Sequence, residues 1–88
     1  MEEELKQFTI NLIHKKELEN SEHIRYTFYE LRVKYNRSEK EVDEILKINK
    51  NYFESKGYNV YFTGARFVYQ NANRLVQPNE LMIAIKEE

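Results

Sequence analysis

His14 and His23 are the only imidazoles in the chain, and nine positions separate them. A metal centre needs more donors at convergent spacing, so two isolated histidines on helix surface read as solvated side chains. Cysteine is absent, which removes thiolate ligands, thiol nucleophiles and disulfides. Gly57 and Gly64 are the only glycines, too few and too scattered for a phosphate-cradling loop. Carboxylates abound, but they interleave with Lys and Arg along helical faces, as a solvated surface does. Tested against the needs of an active site, these residues predict a chain that is not an enzyme, with no catalytic, cofactor-binding or metal-binding residue.

Two other residue classes stand out. The formal net charge is −1 with 33% of residues charged, so no global field draws the chain to nucleic acid or anionic membrane. Between Ser55 and Asn79, however, there is no acidic residue, while Lys56, Arg66 and Arg74 lie in that segment. Three cations make a thin patch beside the several phosphate contacts of DNA-binding proteins. Seven tyrosines and five phenylalanines are more than a small core demands. Tyrosine tolerates partial burial, so a surface that another molecule covers is expected, with Tyr26, Tyr29, Tyr61 and Tyr69 as its candidates. The wealth of Asn, Lys, Ile, Tyr and Glu resembles, in composition only, small proteins of bacteriophages and mobile elements of low-GC bacteria.

These residues must be held by elements, and one element can be read from end to end. Ser38 with Glu41 forms a capping box. Glu39, Glu41, Asp43 and Glu44 then place negative charge at the positive end of a helix dipole. Val42, Ile45, Leu46, Asn49 and Phe53 recur at helical spacing, and Gly57 closes the last turn. The pattern predicts a helix over about 39–56 on which the rest of the chain packs.

Before it, Leu5, Phe8, Leu12 and Ile13 share a helical face within 2–19, although Phe8 to Leu12 also alternates as a strand would. From 22 to 35 two periods compete again. Ile24, Phe28, Leu31 and Tyr35 form a continuous helical stripe, whereas a strand that puts Ile24, Tyr26 and Phe28 on one face is broken in phase by Tyr29 and Leu31, which require a bulge. The unbroken stripe and the short connection to Ser38 predict a helix over 22–35, against the β-forming character of the side chains. After Gly57 the period changes to two: Tyr58, Val60 and Phe62 alternate, a kink follows at Thr63-Gly64-Ala65, and Phe67 and Tyr69 resume the strand. Leu81, Ile83 and Ile85 complete a return strand. The expected fold is α+β in a single domain, 1–88: three helices followed by a β-ribbon of 58–69 against 74–86, with 58–63 facing 80–86.

Leu31, Asn36, Ser38, Val42, Ile45 and Leu46 have a spacing that resembles the helix-turn-helix of bacterial DNA-binding regulators. Asn36 occupies the turn position usually held by Gly, and Asn adopts the left-handed conformation needed there. Arg32 stands where that motif has a small residue, and Arg37 replaces the apolar turn residue that plugs the core. With a helix in front and a ribbon behind, the chain looks like a winged helix-turn-helix domain. That resemblance implies duplex DNA as a partner and makes Arg37, Lys40, Lys47, Arg66 and Arg74 the nucleic-acid candidates.

No apolar run approaches the roughly 20 residues needed to span a bilayer. Glu2, Glu3 and Glu4 have the wrong charge for a signal peptide, so a cytoplasmic protein without membrane contact is expected. The functional expectation is a non-catalytic binding module acting through protein–protein contacts, as a homodimer or with a regulatory partner. The alternative is a winged helix-turn-helix transcriptional regulator.

Overall fold

The computed structural model describes residues 3–62, 70–71, 74–75 and 80–86. Helix α1 runs Glu3–Glu19, followed by strand β1 (His23–Thr27), a five-residue π turn (Glu30–Lys34) and helix α2 (Glu39–Ser55). Strands β2 (Tyr58–Phe62), β3 (Gln70–Asn71), β4 (Arg74–Leu75) and β5 (Glu80–Lys86) complete the order. The fold is α+β, with helices packed on a three-stranded antiparallel sheet of order β1-β5-β2. At this coarse level the arrangement is consistent with a winged helix.

Helix α2 forms as its sequence requires. The Ser38 hydroxyl accepts from the Glu41 N–H, and the Glu41 carboxylate accepts from the Ser38 N–H, so both halves of the capping box are made. Val42, Ile45, Leu46, Asn49 and Phe53 are all buried. Gly57 takes φ +89° just beyond the last turn, and a Cβ there would meet nothing within 4 Å. Glycine is therefore used for its backbone angle and not for space. Helix α1 buries Leu5, Thr9, Leu12 and Ile13, which settles its helix-or-strand ambiguity in favour of helix.

The expected helix over 22–35 is corrected. His23–Thr27 is a strand, and only after it does the chain turn helical, through Phe28 and Tyr29 into the π turn. Ile24 and Tyr26 enter the core from the strand, Phe28 and Leu31 from the helical segment. A stripe that looked continuous is thus joined from two elements with different periods. The register of β1 on β5 shifts between Tyr26 and Thr27, ahead of the Tyr29 and Leu31 phase break at which a strand reading requires its bulge, and by that point the chain has turned helical.

Strand β2 lies on β5 in the expected antiparallel sense, with Val60 opposite Ala84 and Tyr61 opposite Ile83. Farther out, β3 and β4 pair Gln70 with Leu75 and Asn71 with Arg74. The expected kink at 63–65 and the strand through Phe67 and Tyr69 lie outside the described residues. Among the described residues, no helix is long and apolar enough to cross a membrane.

Candidate interaction surface

The turn between the π segment and α2 is where the helix-turn-helix spacing resides. Asn36 has φ +54°, the left-handed conformation expected of that position. The Arg37 N–H donates to the Leu31 carbonyl at 2.9 Å, and the Arg32 guanidinium donates to the Arg37 carbonyl at 2.7 Å. Both departures from the motif thus acquire a use: Arg32 ties the turn from its own backbone side, and Arg37 covers the core.

Arg37 covers it as an amphipathic side chain does. Its guanidinium carbon lies 4.0 Å from the Phe8 ring centroid, and its terminal nitrogens donate to Glu4 at 2.8 Å and to Glu41 at 3.2 Å. Only 14% of the side chain is exposed. The pairing with Glu4 raises the guanidinium pKa above its ordinary value. A side chain stacked and paired in this way is committed to the protein, so Arg37 is corrected from a nucleic-acid candidate to a structural tie between α1 and α2.

Lys40 and Lys47 are exposed on α2, two turns apart, as expected. They share that surface with Glu39 and Asp43, and the first turn of α2 carries Glu39 and Glu41. The helix end that would meet base edges is therefore acidic. Arg66 lies outside the described residues, and Arg74 is placed only by its backbone in β4.

Of the tyrosines named as interface candidates, Tyr26 is corrected. It is wholly buried, with the Lys16 ammonium 4.9 Å from its ring centroid. Burial pushes its hydroxyl pKa well above the ordinary tyrosine value, and the nearby Glu30 carboxylate adds to that. The Asn49 amide acts in the other direction, yet neither the Tyr26 hydroxyl nor Asn49 Oδ1 closes a hydrogen bond of ordinary length and angle. Asn49 Nδ2 instead donates back to the Ile45 carbonyl at 2.8 Å.

Tyr29 is exposed at the start of the helical turn, and Tyr69 lies outside the described residues. Tyr61 is 54% exposed, and its neighbour Phe62, which composition alone did not single out, is 47% exposed. Alternation puts Phe62 on the same face as Tyr58 and Val60, so the sequence pattern carries no signal for its exposure. Together they end a strand, Tyr-Asn-Val-Tyr-Phe, that carries no charge.

The sheet's outward face follows from register. Tyr61 aligns with Ile83 and Arg25, and Asn59 aligns with Ile85 and His23, so these six side chains share the side away from the helices. His14 and His23 are both exposed on different elements. Among the described residues, no group of three His, Asp or Glu side chains is placed to hold a metal ion. An open hollow of about 350 Å³ lies between α1 and β1, lined by Lys16, Glu19, Asn20, His23 and Arg25. Its Lys16 ammonium is already held by both Glu30 carboxylate oxygens, at 3.0 and 2.8 Å. No family model, no curated protein and no solved structure matches this chain.

Proposed function

We propose that this chain is a non-catalytic binding module that works through protein–protein contacts, on a winged-helix-like scaffold. The observation that carries this reading is the adjacent pair Tyr61 and Phe62, about half exposed at the end of an uncharged strand. Large rings left in water beside unpaired strand edge are the composition of a contact surface. The near-neutral charge and the internal commitment of Arg37 support the same reading.

Affinity capture from host lysate, with and without nuclease, tests it. The expected result is a protein retained after nuclease treatment by the wild-type chain and lost with Tyr61→Ser/Phe62→Ser. Retention that nuclease abolishes, or that the double substitution leaves unchanged, overturns it.

A second reading has its own support. The left-handed Asn36, the Ser38 cap and the joint burial of Leu31, Val42, Ile45 and Leu46 keep the spacing of a DNA-binding helix-turn-helix. In that case duplex binding weakens steeply with salt, and Lys47→Ala and Arg66→Ala each make the dependence shallower. Absence of duplex binding at low salt, or binding indifferent to both substitutions, ends this second reading.

A further inference from the structure

The two edges of the sheet differ in their backbone chemistry, and register shows how. In an antiparallel ladder, successive residues of a strand bond alternately to the neighbour on one side and on the other. The Lys86 N–H donates to the Glu22 carbonyl at 3.0 Å, so Lys86, Ala84 and Met82 direct their backbone groups toward β1. Ile85 and Ile83 then bond to Asn59 and Tyr61 of β2. Tyr58, Val60 and Phe62 are left with N–H and C=O groups directed away from the sheet.

On β1 the outward groups belong to His23 and Arg25, and the chain finishes that edge itself. The His23 N–H donates to Asn20 Oδ1 at 3.2 Å, and the Lys16 ammonium donates to the Arg25 carbonyl at 2.7 Å. A register shift follows at once, after Tyr26. A covering side chain, a lysine and a bulge are established devices for blocking edge pairing. Strand β2 has none of them. It is a regular five-residue strand without Pro, Lys or bulge, and among the described residues no hydrogen bond closes on the outward groups of Val60.

We propose that this edge pairs with β2 of a second copy of the chain, antiparallel about a two-fold axis at Val60. The inference rests on the protein-contact reading and names the partner. In this register Val60 exchanges both backbone bonds with Val60 of the copy, and Tyr58 does so with Phe62. Phe62 gains Tyr58 of the copy as a cross-strand neighbour on the helix side of the sheet, while each Tyr58 ring stays packed on its own Phe53. On the outer side Asn59 stands opposite Tyr61 of the copy. The strand is uncharged, so the two-fold brings no like charges together, and one patch serves both chains. The result is a continuous six-stranded sheet.

Amide hydrogen exchange of the intact chain across a concentration series, paired with sedimentation, is the test. At a total concentration about ten times the dissociation constant, where about a fifth of the chain is monomeric, exchange at Val60 and Phe62 slows by about fivefold relative to the dilute chain. Asn59 and Tyr61, already bonded to β5, change little. Tyr61→Lys and Tyr61→Glu each remain monomeric, because positions 61 of the two chains are diagonal neighbours across the axis, and an equal mixture of them forms a heterodimer. The wild-type exchange data stand alone if either variant fails to fold. A chain monomeric throughout with Val60 unprotected overturns the self-pairing, as does a dimer whose new protection falls elsewhere. If a foreign protein is then still captured through Tyr61 and Phe62, the binding-module reading survives the loss of this inference.

Discussion

The guanidinium carbon of Arg37 lies over the Phe8 ring, 4.0 Å from its centroid, and this contact joins the turn before α2 to the first half of α1. Its ion-pair partner Glu4 is 68% exposed, so the packing and not the Glu4 pair is the larger contribution. Arg37→Ala is expected to cost about 2 kcal/mol through lost stacking and coverage. Glu4→Gln is expected to change stability by less than about 0.5 kcal/mol. Denaturant melts of the two variants check the ranking, and equal losses would make the pair, not the stack, the source.

The capping box gives an acid-side prediction. The Glu41 carboxyl is held below the ordinary 4.5 by the Ser38 N–H, and Glu4 is held below it by the Arg37 hydrogen bond. A folded-state pKa lowered in this way contributes stability that is fully present above the ordinary value and lost as pH falls through the folded one. Stability should therefore decline on acidification below about pH 4.5, and Glu41→Gln should flatten that limb. Ser38→Ala should cost about 1 kcal/mol near neutral pH, read from the same melts.

Tyr26 gives the opposite limb. Burial raises its pKa above the ordinary 10.0, so its contribution is fully present below that value and lost as pH rises beyond it. Ultraviolet titration should show tyrosinate at Tyr26 only together with alkaline unfolding. Tyr26→Phe should shift that unfolding to higher pH, and an unchanged midpoint would place the responsible group elsewhere.

Phe53 anchors the aromatic side of the core. It meets Tyr52 edge-on at 5.0 Å and Tyr58 at 4.9 Å, and it is wholly buried. Phe53→Ala is expected to cost about 3–5 kcal/mol, measured as a lowered denaturant midpoint. A change near zero would mean the ring does not carry the α2–β2 contact.

Helix α2 was legible from Ser38 to Gly57 because each of its signals is local: a cap, an acidic first turn, a period and a left-handed stop. Strand β1 was not, because Ile24, Phe28, Leu31 and Tyr35 satisfy a helical period while Ile24 and Tyr26 satisfy that of a strand. Pairing with β5, about sixty residues away, decides between them, and no local window contains that information. The same limit applies to the sites. Arg37 has the residue type of a phosphate contact, and only the neighbouring Phe8 and Glu4 reveal that it is already engaged. Tyr61 was visible as an outward ring in an alternating run, whereas Tyr26 looked identical to it until the sheet order put it inside.

The Lys16 ammonium on the Arg25 carbonyl has a consequence for valency. On the proposed pairing, a sheet stopped on one flank and, among the described residues, open on the other has one valence, so growth halts at a pair, whereas two open flanks would permit an unbounded ribbon. On that pairing, one tethered cation, the Lys16 ammonium, acts as a chain stopper and sets an upper limit on the assembly built through the strands.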